Sequence, residues 1–258
     1  MKVVILAGGR GTRISEETEI LPKPMVEIGG KPIIWHIMKL YSHYGFNDFI
    51  ICLGYRGYMI KEYFSHYFTH MSDVTIDLSK NETKIHTTAS EPWKITLVDT
   101  GLDTMTGSRL KRVEKYIGNK TFLLTYGDGL ADINMKKLVK FHDTNKKLAT
   151  LTAIQNVGRF GVLDIIRGNN VSSFLEKPKD GGGWINGGFF VLEPEIFNFI
   201  GNYESIIWEK EPLENLAKHG KLCAYKHTGF WGCMDTLRDK NNFERIWQSG
   251  AASWKVWK

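Results

Sequence analysis

The sequence predicts an α/β protein: a mostly parallel sheet with helices on both faces, extended by a small β-hairpin and a C-terminal elaboration. Three observations point there. Short apolar runs of the kind that form buried strands recur through the first 155 residues, segments of helical period lie between them, and glycines follow where several of the strands stop.

The elements follow in order. Residues 2–6 (KVVIL) are a continuous β-branched and apolar run stopped by Gly8 and Gly9, which reads as a buried strand. From Pro32 onward Ile33, Ile34, Ile37, Met38, Tyr41 and Tyr44 recur at helical spacing, and Gly45 stands where a helix end favours a left-handed residue. DFIICLG is a second buried strand, followed by a helix between Tyr58 and Tyr67. TFLLTYGDG is another strand with glycines at its end; Asp132 is placed to cap the helix INMKKLVKFH, and LATLTAI returns to a strand. FGVLDII and NVSSFLE, separated by Arg167-Gly168-Asn169, read as a hairpin leading into INGGFFVL. A helix from Glu209 to His219 and the strand LCAYK come next. There is no internal repeat or low-complexity linker, so residues 1–258 are read as one domain. The tail carries Trp247, Trp254 and Trp257, which serve either to pack on the chain's own core or to form a subunit contact.

Composition narrows the function classes. The 258 residues are 42% hydrophobic and 24% charged, ordinary for a globular protein. The first apolar run, Val3 to Ala7, is far shorter than a signal-peptide core, and nowhere do about 18 apolar residues run together, so a soluble, cytoplasmic chain without membrane partners is expected. Cys52, Cys223 and Cys233 are odd in number, widely spaced and without a C-x-x-C pair, which suggests buried thiols rather than disulfides or a zinc site. The net charge of +6 would suit nucleic acid, but the basic residues are dispersed and the one dense cluster, SRLKRVEK, is interrupted by Glu114. The basic residues read first as a solvated face, with a small polyanionic substrate the best functional alternative, and no nucleic-acid role is expected.

The chemistry begins at LAGGRGTR. Glycines after a first strand let backbone N–H groups approach a phosphate. The dinucleotide fingerprint fails, because Ile14 stands where its third glycine belongs, and the Walker pattern fails for want of Gly-Lys-Ser or Gly-Lys-Thr. What remains is a small-residue loop carrying Arg13, then Lys23 held between Pro22 and Pro24, whose rings restrict the backbone around it. Asp128 follows a strand's carboxyl end, where open α/β sheets bind ligands, and Asp235 in MDTLRD is a second candidate carboxylate.

LAGGRGTR followed by PKPM resembles the N-terminal motif of the sugar-1-phosphate nucleotidylyltransferases, whose fold is Rossmann-like and of the nucleotide-diphospho-sugar transferase type. VDTGLDTMTGSRLKR, KPMVEIGGKPIIWHIMK, HMSDVT, EPW, GRFG, INGGFFVL, WEKEPL and MDTLRDK are similar to segments of the glucose-1-phosphate cytidylyltransferases, and together span nearly the whole chain. Those enzymes make CDP-glucose for bacterial surface-polysaccharide (lipopolysaccharide O-antigen) sugars. The resemblance implies a nucleotide-binding part over about 1–130 and a sugar-binding and C-terminal part over about 131–258. It assigns Leu6, Ala7, Gly8, Gly9, Gly11, Thr12, Arg13, Lys23, Thr104, Arg109, Gly127 and Asp128 to CTP, with Arg13 and Lys23 catalytic. It assigns Glu176, Lys177, Asn186 and Gly187 to glucose 1-phosphate, and Asp128 and Asp235 to magnesium. A homo-oligomer is the expected assembly. Arg109, a permanent cation with several donors, is the candidate to reach cytosine's ring edge.

Two departures qualify the substrate rather than the reaction. Ser108 stands where glycine is expected after MTG, and Gly232-Cys233 replace a glutamine-proline pair beside Asp235. The nearest alternative is the same chemistry with another sugar phosphate, or with UTP or dTTP. A non-catalytic binding module on the same fold is a second alternative, and a binder would have no use for a pair of metal carboxylates.

Overall fold

The computed structural model describes residues 1–11, 14, 21–155, 162–165, 169–175 and 183–257. Strand β1 (Lys2–Leu6) is followed by a 3₁₀ turn (Lys23–Met25), the short strands β2 (Glu27–Ile28) and β3 (Lys31–Pro32), helix α1 (Ile33–His43), β4 (Asp48–Leu53) and α2 (Gly57–His70). Next come β5 (Ser72–Asp77), β6 (Glu82–Thr88), β7 (Lys94–Asp99), α3 (Thr106–Arg112), α4 (Glu114–Ile117), β8 (Phe122–Tyr126), β9 (Gly129–Ala131) and α5 (Met135–Asn145). The chain continues through β10 (Ala149–Gln155), β11 (Val162–Ile165), β12 (Val171–Leu175), β13 (Trp184–Leu192), a 3₁₀ segment (Pro194–Phe199), α6 (Glu211–Lys218), β14 (Leu222–His227), β15 (Trp231–Cys233) and α7 (Leu237–Gln248).

The nucleotide-side strands are parallel, in the order β8-β1-β4-β7. β13 joins this block antiparallel to β8, then hands the sheet to β11 and β10, with β14 parallel to β10 beyond. The runs KVVIL and DFIICL form central strands because they are apolar on both faces. Val3 and Ile5 bury in one core with α1, while Val4, Ile50 and Cys52 bury in another with Leu110 and Trp208. Gly45 takes the left-handed conformation at the end of α1, φ 89°. β11 and β12 pair antiparallel as the hairpin reading expects, while residues 166–168 of its turn lie outside the described residues.

One local expectation changes. Asn134, not Asp132, caps α5, accepting a bond from the Lys137 N–H at 3.0 Å. Asp132 is two residues further from the helix, with Oδ1 3.0 Å from His227 Nε2.

The tryptophan tail packs internally. Trp254 is fully buried against Phe230, Phe243 and Trp247, and Trp247 and Trp257 close over His36. His36 donates from Nε2 to the Ile28 carbonyl at 2.8 Å and is 0% exposed; burial pushes it down to about 4, against the smaller upward pull of that carbonyl. An unfolded histidine titrates near 6.5. Below that pH the unfolded chain takes up a proton that the folded chain refuses, so His36 should cost stability as pH falls from about 6.5 to about 4, by up to about 3 kcal/mol. Urea unfolding of the wild type and of His36→Gln, which cannot charge, reads this directly. The free-energy gap between the two should move in the variant's favour across that window, and a gap independent of pH would show that His36 does not titrate there.

Candidate active site

The ends of β1 and β8 form the floor of the site. The chain leaves β1 through Ala7, whose N–H donates to the Cys52 carbonyl at 3.0 Å, and leaves β8 through Gly127, whose N–H donates to the Leu6 carbonyl at 2.9 Å. A cavity of about 360 Å³ opens at these carboxyl ends. Leu6, Ala7, Gly8, Gly9, Gly11, Lys23, Thr104, Arg109, Gly127 and Asp128 all line it, although they are scattered over 120 residues of sequence. Pro24, Met105, Thr106 and Tyr126 line it too. The sequence assigned none of these four to the site, though Pro24, Met105 and Tyr126 are each next to a residue it singled out and Thr106 is two from Thr104.

Lys23 reaches the cavity from a turn that proline holds rigid. Pro22 precedes the 3₁₀ turn, its carbonyl accepts from the Met25 N–H at 2.7 Å, and Pro24 lies inside the turn. The lysine is 8% exposed, and its Nζ donates to Asp128 Oδ2 at 2.6 Å and to Asp235 Oδ1 at 2.7 Å. Burial alone would lower its pKa. Asp128, Cys233 and Asp235 outweigh burial and hold the ammonium above the ordinary lysine range. The two carboxylates, one from the middle of the chain and one near its end, therefore come together around one cation.

Asp235 is fixed by the helix that follows it. Thr236 caps α7: its hydroxyl accepts from the Asp239 N–H, and Asp239 accepts from the Thr236 N–H at 2.9 Å and from the Asp235 N–H at 3.1 Å. β15 pairs antiparallel with β9, and the Met234 N–H donates to the Asp128 carbonyl at 2.9 Å. That bond holds the two aspartate segments side by side. Asp128, Cys233 and Asp235 place ligand atoms within 4.8 Å of one another. The carboxylates suit a hard divalent cation, and the ammonium already bridging them marks the spot as one built for positive charge. Cysteine reasoning expected three buried thiols. Cys52 and Cys223 are buried, burial pushing Cys52 up to about 12, whereas Cys233 is half-buried and part of this cluster.

Arg109 lies beneath the glycine loop and is 4% exposed. Nη1 donates to the carbonyls of Leu53 (3.0 Å) and Gly101 (2.6 Å) and to Thr100 Oγ1 (2.9 Å), and Nη2 donates to the carbonyls of Gly8 (3.0 Å) and Leu102 (3.1 Å). Five acceptors for four Nη hydrogens leave no Nη donor over for a ligand, in contrast to the expected reach toward a base edge. The physical reason is burial: a guanidinium withdrawn from water must satisfy its donors with protein groups. A Cβ on Gly8 would lie 2.3 Å from Nη1, so glycine at this position lets the loop rest directly on the guanidinium.

Thr104 accepts from Arg112 Nη1 at 2.9 Å while lining the cavity. Ser108 turns the other way: its hydroxyl donates to the Tyr203 carbonyl and accepts from the Ile206 N–H, tying α3 to the 201–208 loop. The departure from glycine at Ser108 thus adds a structural tie outside the cavity. Asn186 and Gly187 lie within β13, where the strand bulges opposite Leu151–Ala153. Asn186 Oδ1 accepts from the Gly188 N–H at 2.8 Å, and Trp231 donates to the Gly187 carbonyl at 2.7 Å. Gly188, at φ 79°, lets the Tyr126 ring approach so closely that a Cβ would lie 2.6 Å from it. Tyr126 in turn lines the cavity, whereas Asn186 and Gly187, the two residues before Gly188 in β13, do not. Thr12, Arg13, Glu176 and Lys177 lie outside the described residues.

Comparison with known proteins adds an independent line. The nucleotidyl transferase family matches residues 2–232. Glucose-1-phosphate cytidylyltransferase of Salmonella typhimurium (strain LT2) is 58% identical, with both chains covered in full. A probable glucose-1-phosphate cytidylyltransferase of Bacillus subtilis is 48% identical, again over 100% of each chain. Among solved structures, HddC from Yersinia pseudotuberculosis superposes with a TM-score of 0.73 at 25% identity, covering 95% of this chain and 99% of its own. A glycine-lined cavity, a bridging lysine and paired carboxylates, in a chain alike from end to end, lead to one conclusion: the chain belongs to the nucleotidyl transferase family, alongside the glucose-1-phosphate cytidylyltransferases.

Proposed function

We infer that the protein transfers the cytidylyl group of CTP to α-D-glucose 1-phosphate, giving CDP-glucose and pyrophosphate. An oxygen of the sugar phosphate attacks the α-phosphorus in line; the new P–O bond forms as the bond to the β-phosphate oxygen breaks, and pyrophosphate leaves. No side chain need remove a proton, because the second ionisation of a sugar phosphate lies near pH 6. The observation that carries the chemistry is Lys23, a buried ammonium at the wall of a glycine-floored cavity, 2.6 Å and 2.7 Å from two carboxylates. The choice of cytosine and glucose is supported by the 58% identity over the full chain.

We further propose that Asp128 and Asp235 hold magnesium, which when bound would offset charge on the phosphates. The protein's own contribution is placement. Gly8, Gly9 and Gly11 line the cavity, where backbone N–H groups would meet the phosphates, Lys23 supplies a fixed cation, and Tyr126 lines the same cavity with its ring packed on Gly188 of β13. Among the described residues no helix is long and apolar enough to cross a membrane. A cytoplasmic setting is supported by thiols at Cys52 and Cys223 outside any disulfide.

The test is pyrophosphate release with each nucleoside triphosphate against a panel of sugar 1-phosphates, with and without a chelator. CTP with glucose 1-phosphate should lead, with kcat/KM for CTP at least about tenfold above that for UTP, a gap of about 1.4 kcal/mol. Chelation should stop turnover. Equal use of CTP and UTP would remove the cytidine assignment and leave nucleotidyl transfer; no release with any pair would remove both.

A further inference from the structure

The site described above holds a third potential ligand that a magnesium centre does not need. β15 ends at Cys233, opposite Gly129 of β9, and the extended chain continues through Met234 to Asp235. Met234 is fully buried in the core, and the two-residue period of extended backbone turns Cys233 and Asp235 to the opposite side, toward Asp128. A thiol is a poor ligand for magnesium, which takes oxygen donors, whereas two carboxylates with one sulfur form a donor set for borderline and soft divalent ions. Bonds of about 2.3 Å place two donors on one ion at most about 4.6 Å apart. The three ligand atoms lie within 4.8 Å of one another with the Lys23 ammonium between the two carboxylates, so a bound cation draws the donors slightly inward and takes the ammonium's place.

We propose that Asp128, Cys233 and Asp235 together form a thiol-containing metal centre that takes a softer divalent cation, of the zinc or cobalt class, with Cys233 as a direct ligand. The inference rests on the reading of the two aspartates as metal ligands and adds the sulfur to it. On binding, the Cys233 thiol gives its proton to solvent as the metal–sulfur bond forms; no electron is transferred. Magnesium binds through the carboxylates alone, so the thiol sets which cation the centre prefers without being required for magnesium.

The experiment titrates the intact protein with Co²⁺ and with Cd²⁺, no nucleotide present, and follows sulfur-to-metal charge-transfer absorption in the ultraviolet together with proton release. A band should grow to one equivalent of metal and vanish in Cys233→Ser, whose affinity for Cd²⁺ should fall at least about tenfold while that for Mg²⁺ stays within about twofold. Asp235→Asn should weaken the band's saturation as well, because the same ion is shared. Should Cys233→Ser fold poorly, Cys233→Ala serves the same comparison. No band, a band that persists without Cys233, or a band indifferent to Asp235→Asn would each overturn the proposal. Magnesium-dependent CDP-glucose synthesis without the band would remove the sulfur ligand alone. The band without any nucleotidyl transfer would support the metal centre while removing the catalytic reading.

Discussion

Lys23→Ala should lower turnover at least about 100-fold, equivalent to about 2.7 kcal/mol of lost transition-state stabilisation. Lys23 lines the cavity and is fixed by a proline-bounded turn, so its charge is in place before substrate arrives and needs no reorganisation when negative charge shifts during transfer. The same substitution leaves Asp128 and Asp235 facing each other without their shared ammonium, a loss that also bears on folding. Lys23→Gln separates the two effects, since it keeps a donor for the carboxylates and lacks the charge. Pyrophosphate release from folded Lys23→Gln, judged folded by its unfolding midpoint, should remain down by a similar factor. Turnover near that of the wild type in either folded variant would remove Lys23 from the reaction.

Arg109→Ala should be costly for a different reason. The guanidinium gathers carbonyls from Gly8, Leu53, Gly101 and Leu102, so it joins the glycine loop, the end of β4 and the segment before α3. Alanine leaves buried acceptors short of partners and opens a void beneath Gly8, at a cost of about 3 kcal/mol in stability. With the loop unsupported, kcat/KM for CTP should drop at least about tenfold. Discrimination between CTP and UTP should erode less than the rate, because the Nη donors point into the protein rather than at the base. Denaturant unfolding together with kinetics on both nucleotides tests this. A variant of unchanged stability that loses only its preference for CTP would make Arg109 a base reader instead of a support for the loop.

Much of this was written in local sequence. KVVIL and DFIICL are strands because their residues suit burial on both faces, and Gly45 ends α1 because it tolerates a left-handed backbone. The glycine loop and the constrained Lys23 could be read from glycines and prolines, whose backbone preferences are intrinsic. Asp132 was misplaced as a cap because two positions two residues apart, Asp132 and Asn134, both offer good caps, and the one that bonds is chosen by the path of the chain into α5.

Distance in sequence is what hid the rest. Nothing between Lys23 and Asp235 announces that they are 2.7 Å apart, since the contact exists only because β15 pairs with β9 and the capping box of α7 sets the following backbone. Arg109 shows the same limit. Its identity guarantees a cation with several donors, but whether those donors meet a ligand or the chain's own carbonyls depends on burial, which is a property of the packed molecule. Cys233 is a small apolar residue by composition and a potential ligand by position, because the period of an extended strand turned its sulfur toward two carboxylates. Residue chemistry and backbone preference are local and were settled by the sequence, whereas the partners of each charged group are non-local and were settled by strand pairing and burial.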